Sequence, residues 1–197
     1  MRIGIDFDGT LADTGWAKQQ YISETWGIHL EPWETMRTPA FEVLGEERYH
    51  EMVLAAHTTE LVLRMPEIPG AIAAVARLAE QHDLFVITAR RDEEIELARQ
   101  WLADHRVPIT QVIHTRWESK RASWETHGID VHIDDLPSVL LDHPEAMTPV
   151  LLHSRYNEPL DHCERTVVVP DWPGFEELVR GLATVSEGAR AADHMLR

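Results

Sequence analysis

Two carboxylates stand two residues apart at the end of an apolar run, where Asp6-Phe7-Asp8-Gly9-Thr10-Leu11 follows Arg2-Ile3-Gly4-Ile5. In extended backbone, residues i and i+2 project to the same side, so Asp6 and Asp8 face one way while Phe7 turns into a core. Carboxylates that close repel each other unless a cation joins them. Two more apolar runs end in polar groups: Thr88 after Leu84-Phe85-Val86-Ile87, and Asp134-Asp135 after Val131-His132-Ile133. Asp6, Asp8 and Asp134 make an oxygen-only set suited to a hard divalent cation. Mg²⁺ fits best, because it takes few carboxylates, keeps waters and accepts a phosphate oxygen. Gly9 lets the chain turn and is expected to leave its amide open to an anion, with Thr10 hydrogen-bonding locally. Such a pocket suits a phosphoryl group.

For these groups to meet, the strands that carry them must lie side by side and parallel. The hydrophobic pattern predicts strands over 2–7, 84–88, 111–114, 131–134, 150–153 and 166–169. Helices are predicted over 17–26, 41–64, 71–81, 92–104, 118–126, 138–142 and 173–185, with Asp92 as an N-cap. Strands alternating with helices imply an α/β, Rossmann-like three-layer parallel sheet, whose ligands sit at the carboxyl ends of the strands. The helical stretch after the first strand breaks the alternation and reads as a small inserted cap. The expected division is a core of 1–14 and 68–185, a helical cap of 15–67, and a loosely held tail of 186–197.

The 197 residues are 44% hydrophobic and 26% charged, the composition of a globular chain with a substantial core. No apolar run approaches the roughly 18–20 residues that span a bilayer, and no signal-peptide zoning opens the chain, so a cytoplasmic location is expected. Cys163 is the single cysteine, which excludes an intrachain disulfide and a cysteine metal site; it reads as a small buried or half-buried thiol. A net charge of −16 argues against stable nucleic-acid binding. The twelve histidines, His114, His132 and His153 among them, show no metal-ligand spacing and read as structural. Trp101, Trp117 and Trp124 read as packing. Lysine occurs only as Lys18 and Lys120, the other basic residues being arginine.

Asp-Phe-Asp-Gly-Thr-Leu, strand-terminal Thr88, Lys120 and Ile133-Asp134-Asp135 resemble, in order, the four motifs of haloacid dehalogenase (HAD) superfamily phosphohydrolases. The resemblance implies a HAD-like fold and a Mg²⁺-dependent phosphomonoesterase. By it, Asp6 is the nucleophile that forms an aspartyl-phosphate, and Asp8 the acid that protonates the leaving oxygen and then activates water. Thr88 hydrogen-bonds the phosphate, Lys120 offsets charge around the nucleophile, and Asp134 completes the Mg²⁺ site with the Asp8 carbonyl, Asp135 lying behind. Arg116 and Arg121 are the alternatives to Lys120. An acid at position 8 favours a phosphatase over a dehalogenase or an ion pump.

A narrower resemblance, to about Leu182, is to the 5′(3′)-deoxyribonucleotidase family. It rests on Ile5 through Asp13, Ile87-Thr88-Ala89-Arg90, Ile133-Asp134-Asp135, Tyr156-Asn157, Val167–Val169 and Trp172. It implies a small phosphorylated substrate, a nucleoside monophosphate, contacted by Gly9, Thr10, Ala89 and Arg90. Arg90 could equally pair with an acid of its own sheet edge. Among the cap aromatics, Trp26 and Phe41 read as cap core. Trp16, Tyr21, Trp33 and Tyr49 are open to stacking on a base. Competing readings are a phosphatase of another small metabolite such as a sugar phosphate, a polynucleotide 3′-phosphatase, and a phospholigand-binding module without catalysis.

Overall fold

The computed structural model describes residues 1–157 and 165–195, those from 185 onward by backbone alone; Cys163 lies outside the described residues. Six strands form one sheet: β1 Arg2–Ile5, β2 Asp83–Thr88, β3 Gln111–His114, β4 Val131–Asp134, β5 Thr148–Leu152 and β6 Val167–Val169. Their order is β3-β2-β1-β4-β5-β6, and every neighbouring pair is parallel. The chain winds outward from β1 to β3, then crosses back to β4 on the other side of β1. That reversal opens a crevice at the carboxyl ends of β1 and β4, where doubly wound sheets bind ligands. Ile5 pairs with Ile133, so Asp6 and Asp134 emerge side by side at its floor.

Both sheet faces are covered, which is why the strands read as nearly continuous apolar runs. Along β2, Leu84 and Val86 enter one cluster with Ile3, Ile5, Val131, Ile133 and Val150, while Phe85 and Ile87 enter another. Helices α4 (Ala71–Leu78), α5 (Ile95–Asp104) and α8 (Trp172–Met195) bring Val75, Trp101 and Phe175 to the first face. Helices α6 (Arg121–His127) and α7 (Pro137–Leu140) bring Trp124 and Val139 to the second. This is the three-layer arrangement expected from the alternation.

Between β1 and β2 run α1 (Thr14–Trp26), a 3-10 turn (Pro32–Thr35), α2 (Arg37–Thr58) and α3 (Leu61–Arg64). They hold a small core of their own, built on Ile22, Leu30, Ala40, Leu44 and Met52. Asp13 caps α1, its carboxylate accepting from Trp16 N at 3.0 Å. The single helix expected over 41–64 is broken twice. Gly45 takes φ +74°, a left-handed value that interrupts α2, and the chain restarts α3 only after Thr59 accepts from Leu61 N through its hydroxyl.

Other boundaries differ from the sequence reading too: β1 ends at Ile5 rather than 7, α1 starts at Thr14 rather than 17, and α4 ends at Leu78 rather than 81. Asp92 does not cap α5; its carboxylate takes Arg116 Nε at 2.7 Å, while Glu94 accepts from Arg91 N and the helix begins at Ile95. Helix α6 starts at Arg121 rather than 118, because Arg116 and Trp117 have left-handed φ values of +55° and +65°. Helix α8 continues to Met195, past the end expected at 185. Among the described residues no helix is long and apolar enough to cross a membrane.

Candidate active site

The crevice floor is a buried charge cluster. Lys120, at the turn before α6, donates through Nζ to Asp6 Oδ1 at 2.5 Å and to Asp134 Oδ2 at 2.7 Å. Asp134 Oδ1 also accepts from Leu136 N at 2.9 Å, and His132 Nε2 lies 3.3 Å from its other oxygen. Burial would raise the Asp134 carboxyl, but Lys120 and His132 outweigh it and hold the group down at about 2. Asp6 shows the opposite balance. Burial, helped by Asp134 and Asp8, outweighs Lys120 and raises its carboxyl to about 7. Desolvation lowers His132 to about 4, so its imidazole is neutral near pH 7.

Carboxylate oxygens of Asp6, Asp134 and Asp135 lie within 4.8 Å of one another. Asp135 Oδ1 is buried with no hydrogen-bond partner among the described residues. Burial and then the charges of Asp134 and Asp6 push the Asp135 carboxyl well up. An unpaired buried oxygen beside two further carboxylates is an unfavourable arrangement that a divalent cation relieves. The donor set therefore fits a hard metal ion. It differs from the sequence reading in one respect, since the third side chain of the triplet is Asp135 and not Asp8.

Asp8 points elsewhere. Arg90 grips it with two parallel bonds, Nε to Oδ2 at 2.9 Å and Nη2 to Oδ1 at 2.8 Å. Thr14 donates to Asp8 Oδ1 at 2.6 Å, and His57 Nε2 is 3.9 Å from the same oxygen. Burial opposes ionisation of Asp8, but Arg90 above all, then His57 and Thr14, hold its carboxyl well below the usual carboxylate range. The remaining Arg90 donor, Nη1, reaches the carbonyls of Glu94 at 3.1 Å and His57 at 3.3 Å, and the guanidinium lies over Phe7 at 4.9 Å. Arg90 thus pairs with an acid, one of its two readings, and also lines the cavity.

These groups converge on one cavity of about 500 Å³, in the range of small-molecule sites. Asp6, Asp8, Gly9, Thr88, Ala89, Arg90, Lys120, Asp134 and Asp135 all line it. Thr10 does not: its carbonyl accepts from Trp172 Nε1 at 3.1 Å, and its buried hydroxyl has no partner among the described residues, contrary to the expected local bond. The Gly9 amide is not open to an anion either, since it donates to Ala12 O at 2.8 Å. What fixes glycine there is space, because at φ +76° a Cβ would run into the Asp135 carboxylate. Arg116 and Arg121 do not approach the floor; they pair with Asp92, and with Glu125 and Asp142.

The helical segment supplies the facing wall with Lys18, Met36, Arg37, Tyr49, Val53 and His57. Of the aromatic candidates there, only Tyr49 lines the cavity. Trp26 packs with Tyr21, Phe41 with Tyr49, Trp16 lies under Arg64, and Trp33 lies under Arg155 at 3.9 Å. Trp101 and Trp124 are buried packing residues as read, but Trp117 is 55% exposed and lines the cavity. His57 and Trp117 are the residues that sequence reasoning missed. Two adjacent left-handed residues without glycine leave no mark in the sequence, although Trp117's place just before Lys120 was a usable signal.

A family model described as 5′ nucleotidase, deoxy (pyrimidine), cytosolic type C protein (NT5C) matches residues 1–184. A candidate nucleotidase of Halalkalibacterium halodurans is 22% identical over 161 residues, 79% of this chain and 81% of that protein. Similar solved structures include a candidate phosphoglycolate phosphatase of Lactobacillus plantarum, 16% identical, covering 90% of this chain and 98% of that one with a TM-score of 0.62. Another is YfnB of Bacillus subtilis, a candidate HAD hydrolase solved with magnesium, at 13% identity, 91% and 98% coverage and a TM-score of 0.61. These likenesses share the HAD-like fold. With a strand-end carboxylate site at the switch point and a family match over nearly its whole length, the chain belongs to the cytosolic type C 5′-nucleotidase family and is a phosphoric monoester hydrolase.

Proposed function

We propose that the protein is a Mg²⁺-dependent 5′(3′)-deoxyribonucleotidase-like enzyme that hydrolyses nucleoside monophosphates through an aspartyl-phosphate on Asp6. The observation that carries the reading is the convergence of Asp6, Asp8, Thr88, Lys120 and Asp134 on a single cavity sized for a small molecule. Asp6 and Asp134, with the Asp8 carbonyl, would hold the cation, and Asp135 stands beside them. When bound, the cation offsets the carboxylate charge and polarises a phosphate oxygen.

Asp6 attacks phosphorus as its carboxylate, forming an O–P bond while the ester P–O bond breaks. Asp8 donates its proton to the departing nucleoside oxygen. The ionised Asp8 held by Arg90 is the form that acts next, taking a proton from the water that attacks phosphorus and frees Asp6 with inorganic phosphate. A substrate phosphate brings negative charge beside Asp8 and raises its proton affinity for the first step. Lys120 balances the charge around Asp6, and Thr88 donates its hydroxyl to the phosphate. Helices α1–α3 act as the cap, and their wall excludes polymers from the floor. Support for a nucleotide comes from the family match and from the relative of Halalkalibacterium halodurans.

The test is phosphate release from nucleoside monophosphates, sugar phosphates and a 3′-phosphorylated oligonucleotide, with Mg²⁺ and with EDTA. Nucleoside monophosphates should be hydrolysed fastest, and EDTA should abolish turnover until Mg²⁺ is restored. Faster hydrolysis of sugar phosphates would discard the nucleotidase reading, and full activity in EDTA would discard the cation.

A further inference from the structure

We infer that Trp117 is the platform on which the substrate's base stacks, so that the core domain itself, and not only the helical segment, selects a nucleotide. The inference rests on the nucleotidase reading and deepens it by assigning the residue that recognises the leaving group.

Trp117 differs from the other exposed large apolar residues. Val43, Leu54, Leu141 and Val168 are exposed too, but none of them lines the cavity. At 55% exposed, the indole is apolar surface at the cavity that, among the described residues, Arg91 and His57 approach without covering. Its backbone is also held in a conformation that a residue with a Cβ adopts only under constraint. The constraint is visible: Trp117 N donates to Ala89 O at 2.8 Å, Arg116 N to Arg90 O at 3.3 Å, and Thr115 Oγ1 to Glu118 O at 2.8 Å.

Those bonds tie the loop to the residues that directly follow Thr88. The backbone at Trp117 is therefore held beside the phosphate end of the cavity, which the indole lines. Arg91 places its guanidinium 5.8 Å from the ring centroid, and the His57 ring lies 6.3 Å away on the side of the helical segment. Tyr49, Val53, Met36 and Arg37 line the same cavity from that segment. A phosphomonoester whose phosphate sits at Asp6 would extend its leaving group between this wall and Trp117. A flat aromatic base gains from the indole, whereas a bare sugar does not.

The experiment compares kcat/KM for thymidine 5′-monophosphate with that for 2-deoxyribose 5-phosphate in wild type, Trp117→Ala and Trp117→Phe. Trp117→Ala should lower the nucleotide-to-sugar ratio about tenfold, the scale of one base–aromatic contact, chiefly through KM. Trp117→Phe should keep most of the ratio. An unchanged ratio in Trp117→Ala overturns the platform, including the case where both substrates lose activity alike through a disturbed loop. A wild type that prefers neither substrate overturns the nucleotidase reading and the platform with it, whereas a preference that survives in Trp117→Ala removes the platform alone. A turnover-free readout is tryptophan emission in an Asp6→Asn background. Thymidine 5′-monophosphate should quench it saturably, and Asp6→Asn/Trp117→Phe should lose that quench while calorimetry still records binding. A quench that persists in full also overturns the assignment.

Discussion

The two walls of the cavity are built on different principles. At the sheet rim, Asp6, Thr88, Lys120 and Asp134 are all buried, and each hangs on the end of a strand or the start of a helix. Asp6 and Asp134 are each opposed by Lys120 within hydrogen-bond distance, and Asp135 Oδ1 has no hydrogen-bond partner among the described residues. Across from it, Met36, Tyr49 and Val53 are half-buried and Arg37 is exposed, and they belong to helices with a separate small core and a break at Gly45. The rim positions are determined several times over, so substitution there disturbs charge balance. On the helical wall, buried His57 apart, the lining side chains are more exposed, so substitution at Met36, Arg37, Tyr49 or Val53 should disturb less. On the proposed function, the reacting groups sit on the buried wall and the leaving group also meets the more exposed one.

That contrast can be broken from the rim outward. Asp6→Asn should lower kcat by at least about 10³-fold while circular dichroism stays that of wild type, because the nucleophile is lost and the Lys120 bond is kept. Residual turnover within tenfold of wild type would remove Asp6 from its role. Asp8→Asn should follow with a loss of about 10²–10⁴-fold in kcat, measurable in single-turnover assays on both half-reactions. Lys120→Met leaves Asp6 and Asp134 facing each other without their cation. Breaking such a buried pair costs about 3–5 kcal/mol, so Tm in EDTA should fall by on the order of 10 °C. Arg90→Lys keeps the charge but loses the two-pronged grip on Asp8, and kcat should drop roughly tenfold. On the helical wall, Tyr49→Ala should raise KM about threefold and leave Tm within a few degrees. A larger effect there than at Arg90 would erase the distinction between the walls.

The rim was legible because a parallel sheet ends apolar runs abruptly, and the residue after each run is carried to a common edge. Asp6, Thr88 and Asp134 could be placed by that argument alone, and each of the six strands overlaps a run the pattern picks out. What failed depended on contacts between distant segments. Asp8 and Arg90 are 82 residues apart in sequence, and nothing local to either announces their pairing. The Gly9 amide is closed by a turn bond to Ala12, which no motif spells out. Asp92 was drawn away from its helix by Arg116, and the same loop turned Trp117 outward. Helical periodicity across 41–64 concealed the breaks at Gly45 and Thr59, and nothing in it announced the approach of His57 to Asp8.

The pairing of β1 with β4 also has a kinetic consequence. The strands that deliver Asp6 and Asp134 are neighbours in the sheet, yet Lys120, which bridges their carboxylates, is 114 residues from Asp6. Closing so long a loop carries an entropic cost that must be met before the bridge rewards it. A growing or truncated chain that lacks β4 carries the complete opening motif and no site. Any ligand that joins Asp6 to Asp134 stabilises the assembled sheet by mass action, so occupancy of the crevice should slow global unfolding as well as protect the local loops.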